Sequence, residues 1–282
     1  MGTPTVRQRK VARALRTWRS RAGMTLDEVS DRLRWSISKL SRLERAETIP
    51  GPAEVIVLAT IYGIPEAERD AYAELARNGR RESWFRKYPA DVVPGELKDF
   101  IELEAEAVKL DNFETIFIPG LLQTEDYAKA LARGWDLNLT DEVIETRAAV
   151  RMQRQARLHE EPRLELHTVI YEPALRVPVG GRDTMRTQLH HLLDMAQQPN
   201  ITVQVLREDV GAHPAMGFPF CILHLGNNTT PVVYMDALMR GVFVEEEPDV
   251  ERCSLAFERL IKLALDPDAS ADLIQRIAQD RN

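Results

Sequence analysis

Between positions 37 and 45, Ser38, Lys39, Ser41, Arg42 and Arg45 combine short hydroxyls with long cations. On a helix they lie away from Leu40 and Leu43, so one face is apolar and the other carries hydrogen-bond donors and positive charge. A major groove accepts such a face, with room for the helix, donors for base edges and charge for phosphates. Ser38, Lys39 and Arg42 are accordingly the candidates for base edges, with Ile37 available to pack on a thymine methyl. Thr25, Ser36, Ser41 and Arg45 are the candidates for phosphate anchors, joined by Arg16 from an earlier basic helix. An ordinary helical hairpin with a solvated polar face would share this composition. The surrounding punctuation favours the DNA reading.

That punctuation begins at Thr25, which with Glu28 three residues later forms a capping box. Leu26, Val29 and Leu33 come next at helical spacing, Arg34 and Trp35 turn the chain, and Ser36 caps the second helix. Two short amphipathic helices across so tight a turn spell a helix-turn-helix. The segment resembles the Cro/C1-type helix-turn-helix (Xre family) over roughly residues 7 to 65. In that resemblance Thr25 opens the scaffold helix, Trp35, Leu40 and Leu43 fill apolar core positions, and "SRLER" ends the recognition helix. Two departures stand out. Arg34 occupies the usual turn glycine, so its backbone must avoid a strongly positive φ or bear strain. Ala46 replaces a closing glycine, leaving that end free to run on or fray.

The helices that position this pair are also legible. Val11, Leu15, Trp18 and Ala22 make the inner edge of a helix from about Val6 to Ala22. Arg7, Arg9, Lys10, Arg13, Arg16, Arg19 and Arg21 crowd its remaining surface, and two or three of these arginines are expected on phosphates. Gly51-Pro52 starts a fourth helix, with Val55, Leu58 and Ala59 inward, and Pro65 starts a fifth that closes at Asn78-Gly79. Residues 7 to 45 carry twelve Lys or Arg against four Asp or Glu. The whole 282-residue chain nevertheless has a net charge of -7. A cationic module on an acidic body binds by its local field, not by the sum.

The length suits two domains. The division expected is a helix-turn-helix domain at 1–80, an aromatic junction at 81–95 and a second domain at 96–282, on which Trp84, Phe85 and Tyr88 of the junction would dock. That second domain opens with a helix from Glu96 to about Lys109 whose face carries Glu96, Asp99, Glu102, Glu104 and Glu106. After it come a helix capped by Thr124 and a long one from about Asp141 to His159. The period then changes to two: 163–172, 201–208, 218–226 and 231–238 read as strands of a mixed or antiparallel sheet. Helices at 182–198 and 249–265 and a last helix capped by Asp268 or Ser270 complete an α+β chain, with a small sheet flanked by helices. This half resembles the uncharacterised C-terminal domain that accompanies such helix-turn-helices in many actinobacterial regulators. "IPGLLQTEDYAKAL", "RMQRQARL", "VGGRDTMRTQLHHLLDMAQQPNITVQVL" and "VVYMDAL" carry the likeness, over about residues 84 to 270. The resemblance implies regulators, some of them antitoxin-like, paired with small neighbouring proteins.

Catalytic signatures are missing. His190 and His191 are adjacent and point to different helix faces, and Cys221 and Cys253 lack metal-ligand spacing. Gly180-Gly181 reads as a tight turn, not a nucleotide loop. The stretch from Gly211 and His213 through Phe218 reads as a hairpin connection or the border of a pocket. No enzyme, cofactor or metal is expected. With neither a secretory h-region nor a run of about 18 apolar residues, the expectation is a cytoplasmic, non-membrane protein. The function expected is a sequence-specific DNA-binding transcriptional regulator acting on double-stranded DNA as a homodimer. Its second domain would sense a small-molecule effector or a small protein encoded nearby. The alternative is an antitoxin-like protein that sequesters that small partner and autoregulates its operon.

Overall fold

Thr5 and Gln8 begin the first helix reciprocally: the Gln8 amide donates to Thr5 Oγ1 at 3.3 Å, and the Thr5 amide to Gln8 Oε1 at 3.0 Å. The computed structural model describes residues 4–78, 84–89, 92–135, 138–226, 229–236 and 241–280. Two compact units emerge: Met1–Trp84 with Gly226–Thr230, and Phe85–Leu225 with Pro231–Asn282.

The first unit contains α1 (Val6–Arg21), α2 (Leu26–Leu33), α3 (Ile37–Glu44), α4 (Pro52–Ile61) and α5 (Glu66–Asn78). Val11, Leu15 and Trp18 of α1 are buried with Val29, Leu40, Leu43, Val55 and Leu58. Trp18 satisfies its indole N–H on Glu68 Oε1 at 2.8 Å and meets Tyr72 edge-on at 4.9 Å, which fixes α5 on α1. Ala22 departs from the expected apolar edge, for it caps α1 and is exposed. Leu26 and Leu33 are only half-buried, which leaves Val29 as the anchor of α2. The expected basic shell of α1 also needs correction. Arg7 and Lys10 are buried, and among the residues of that shell only Arg16 and Arg21 are exposed.

The second unit contains α6 (Gly95–Glu106), β1 (Lys109–Glu114), α7 (Glu125–Trp135), α8 (Asp141–Arg154), β2 (Glu165–Tyr171) and α9 (Glu172–Arg176). It continues through α10 (Arg182–Met195), β3 (Ile201–Leu206), β4 (Phe220–His224), β5 (Val232–Met235), β6 (Val242–Val244), α11 (Glu247–Leu263) and α12 (Pro267–Gln279). The six strands run β3-β2-β1-β4-β5-β6. β1, β2 and β3 are parallel, and β1, β4, β5 and β6 pair antiparallel, so the sheet is mixed. The four strands read from sequence are present; β1 and β6 were not expected, and β1 is central. The helix expected to reach Lys109 stops at Glu106, and the next polar residues pair as a strand instead. The long helix likewise stops at Arg154, succeeded by a 3-10 turn to Leu158. The segment between β3 and β4 is no hairpin connection either, because β2 and β1 lie between those strands.

Alternation along the strands separates two faces. Phe113, Val169, Ile222 and Val233 pack with Val250, Phe257 and Leu260 of α11. Leu110, Asn112, Glu114, Leu166, Cys221 and Tyr234 point the other way, toward α6 and α8. The acidic face of α6 is partly enclosed: Glu102 and Glu104 are buried, Asp99 and Glu106 half-buried, and the Glu96 side chain lies outside the described residues. Glu104 accepts two hydrogen bonds from Arg154 of α8, at 2.8 and 2.7 Å, a bidentate pair closed off from water. The last helix is capped by Asp266, whose Oδ1 accepts from Ala269 N at 2.8 Å. Neither expected cap serves there, since Ser270 is buried and its hydroxyl accepts from Val205 N at the sheet edge.

The junction falls partly within the described residues. Phe85 is buried and Tyr88 half-buried in the second unit, while Trp84 belongs to the first. Positions 79–83 and 90–91, with the helix end expected at Gly79 and the domain boundary at 80, lie outside the described residues, as do 237 and 238 of the fourth expected strand.

Candidate nucleic-acid interface

The turn from α2 to α3 is made without glycine. Arg34 adopts φ 56° and ψ 31°, the left-handed region, where a Cβ costs about 1–2 kcal/mol. Of the two possibilities for Arg34, bearing strain is the one realised. Ser30 steadies the turn by donating its hydroxyl to the Trp35 carbonyl at 2.6 Å. Ser36 then caps α3, accepting from Lys39 N at 3.2 Å. The other end of α3 neither runs on nor frays. Ala46 also turns left-handed, at φ 57°, so that Glu47 N donates to Arg42 O at 2.9 Å and Ala46 N to Leu43 O at 3.3 Å. These paired bonds are a Schellman closure built on alanine.

A charge clamp fixes α3 against α1. Arg19 donates to both oxygens of Glu44, at 2.7 and 2.9 Å, and to the Met24 carbonyl at 2.9 Å. The hydrogen bonds to Glu44 raise the Arg19 guanidinium further above its ordinary pKa. Arg19, expected on the basic surface of α1 from which two or three arginines would reach phosphates, is therefore engaged inside the unit. The pair was hidden from sequence reading because its partners lie 25 positions apart and belong to different helices.

On this frame Ile37, Ser38 and Arg42 share one exposed face of α3, and Ile37 is 43% exposed despite its apolar side chain. Among the described residues, the Arg42 and Arg16 side chains make no hydrogen bond or ion pair. Lys39 differs. Its ammonium sits 3.9 Å from the centroid of the Trp35 ring and 2.8 Å from Glu54 Oε1 of α4. Arg45 borders the face and reaches Glu47 at 3.2 Å; Ser41 is half-buried beside it. The Thr25 hydroxyl is occupied within its capping box, accepting from Glu28 N at 3.2 Å and donating to Glu28 Oε2 at 3.0 Å. The Thr25 amide completes the box at 2.7 Å, and these bonds hold the Glu28 carboxyl below its usual pKa. A phosphate at Thr25 would meet that carboxylate. The structure thus brings together Ile37, Ser38, Arg42 and Arg45, keeps Ser36 as a cap, and ties Lys39 and Thr25 to acidic neighbours.

Elsewhere, no group of three or more metal-ligating side chains occurs among the described residues. Both cysteines are free thiols, and no helix among those residues is long and apolar enough to cross a membrane.

Comparison with known families divides the chain in the same sense. Residues 10–72 match a family described as a helix-turn-helix domain, and residues 97–276 match one described as a domain of unknown function, DUF5753. No curated protein and no solved structure gives a significant match.

Proposed function

Since the chain belongs to the DUF5753 family and carries a helix-turn-helix DNA-binding domain, we propose that it is a sequence-specific transcriptional regulator of Cro/C1 type. The observation that carries this reading is the exposed face of α3, where the unpaired Arg42 stands beside Ser38 and Ile37 on a helix clamped by Arg19 and Glu44. Arg42 and Ser38 read base edges, Ile37 contacts a thymine methyl, and Arg16 and Arg45 hold phosphates. Ser36 at the start of α3 and Ser41 within it add contacts to the phosphate backbone. Lys39 and Thr25 serve mainly to set the helices. The second unit pairs two chains, which places two recognition helices about 34 Å apart on one side of the duplex, and senses an effector or a protein partner.

Base-substitution scans at fixed salt test the assignment. Arg42→Ala lowers specific affinity by about 1–3 kcal/mol and relaxes preference at one position. Arg16→Ala weakens binding to all sequences and makes the salt slope shallower by about one. A uniform loss for Arg42→Ala would move it to the phosphate class, and affinity insensitive to salt would remove DNA binding altogether.

A further inference from the structure

The face of the sheet turned away from α11 borders a cavity of about 360 Å³, within the range of small-molecule sites. β1 supplies Asn112 and Glu114 to it, α6 supplies Phe100 and Glu104, and α8 supplies Arg151 and Arg154. Phe117, Trp135 and Tyr234 add aromatic wall, and Gly217 and Pro219 place the β3–β4 connection at its border. At the rim Ile116 and Trp135 are 62% and 52% exposed.

The polar groups of this cavity are not all matched. Glu104, Glu114 and Asp236 face two guanidiniums, Arg151 and Arg154. Arg154 is committed to Glu104 through both oxygens, and Arg151 donates to Gln123 Oε1 at 2.5 Å. Glu114 is about nine-tenths buried, and its Oε2 has no hydrogen-bond partner among the described residues. A buried carboxyl oxygen without a partner forgoes the hydrogen bond it had in water, and such a group calls for an explanation. We propose that this cavity is a ligand site for a small organic cation, an ammonium on an aromatic or apolar body, whose N–H groups complete Glu114. The aromatic walls suit both the body and the charge.

The groups around Glu114 set its response to pH. Burial raises its carboxyl most, the Asn112 side chain opposes that, Asp236 raises it further and Arg151 lowers it, for a result of about 8. In the empty cavity the carboxyl keeps its proton at neutral pH. Binding an ammonium forms an N–H···O bond to the carboxylate and releases that proton to solvent. Affinity therefore rises with pH while the amine, which titrates near about 10, stays charged.

Occupancy of the cavity stands apart from the regulator reading; only its effect on DNA binding rests on that reading. The test accordingly uses the full chain without DNA. Calorimetry compares phenethylamine and tryptamine with their uncharged counterparts, 2-phenylethanol and tryptophol. The amines are expected to bind at least roughly tenfold more tightly than the alcohols, and to gain about tenfold between about pH 6.5 and pH 8.5 with net proton release. Glu114→Gln is expected to erase the preference for amines; the pH series on the unaltered chain answers the question without that variant. Equal binding of alcohols, affinity falling with pH, or no saturable binding by either amine would overturn the proposal. A chain that binds amines yet no DNA would keep this site and lose the regulator reading.

Discussion

The first unit presents the α3 cation Arg42 outward from an apolar centre, whereas the second encloses carboxyl and guanidinium groups around one cavity. In the helix-turn-helix, Leu40 and Leu43 are buried while Arg42, one position away from Leu43, stands free at the surface. In the mixed sheet, the middle strand carries Asp111, Asn112 and Glu114 in buried positions, and the Glu104–Arg154 pair closes over the face that Asn112 and Glu114 share. Surface cations on a helix act at long range and lose strength in salt. Interior charges act over a few ångströms, demand complete partners, and make an incomplete one conspicuous. The contrast separates a face made for a polyanion from an interior made for one small complement.

Breaking the interior pair should have the largest effect. Glu104→Gln or Arg154→Met leaves a buried charge without its partner and is expected to destabilise the second unit by about 3–5 kcal/mol in urea unfolding. The double substitution should recover most of that loss. A cost below about 1 kcal/mol for either single change would mean that water reaches the pair.

Next comes the pH dependence of stability. Glu114 has its folded pKa raised to about 8, so the folded state keeps a proton that the unfolded chain gives up near about 4.5. Stability is therefore lost as pH rises between these values, and the loss is complete above about 8. Glu114→Gln should flatten that slope and stabilise the protein at pH 7 by about 3 kcal/mol. An unchanged slope would show that Glu114 is ionised in the folded chain.

Smaller effects sharpen the description of the surface region. Glycine at either left-handed position, Arg34→Gly or Ala46→Gly, should stabilise the first unit by about 1 kcal/mol in thermal unfolding, because the native backbone already suits glycine. A loss of stability on either change would mean that the side chain contributes more than its backbone strain removes. Least of all, Lys39→Ala should cost under about 1 kcal/mol in DNA affinity, since Glu54 and Trp35 already hold its ammonium. A loss as large as that of Arg42→Ala, confined to one base position, would return Lys39 to the reading face.

Legibility from sequence divides along the same line. Capping boxes and helical spacing are local, so Thr25, Glu28, Val29, Leu40 and Leu43 announced their roles within a few residues of one another. The four strands rich in Val, Ile and Leu were equally plain. β1 was not, because "KLDNFE" lacks an apolar run and owes its strand only to the neighbours on either side. Glu114 and Arg154 were invisible as interior groups for a related reason: burial of a charge depends on elements distant in sequence. Arg19 illustrates the reverse error, a cation read as surface that Glu44 draws into the structure. Ala46 shows that a closure commonly marked by glycine forms with another residue when its hydrogen bonds are in place.

The central position of β1 also governs the order in which the molecule can be completed. The five helices of the first unit all lie within the opening 78 positions and can pack on one another early in synthesis, although Gly226–Thr230 join that unit only later, where the Thr230 carbonyl accepts from Lys10 Nζ. β1 must wait for Glu165 to pair with Lys109 on one side, and for His224 to pair with the same residue on the other. Until synthesis reaches that second partner, a strand holding Asp111, Asn112 and Glu114 has one open edge and too little apolar surface to hold its place. A nascent chain thus carries a finished DNA-facing surface well before its polar interior closes. The recognition helix and its four neighbours mature early and the mixed sheet late.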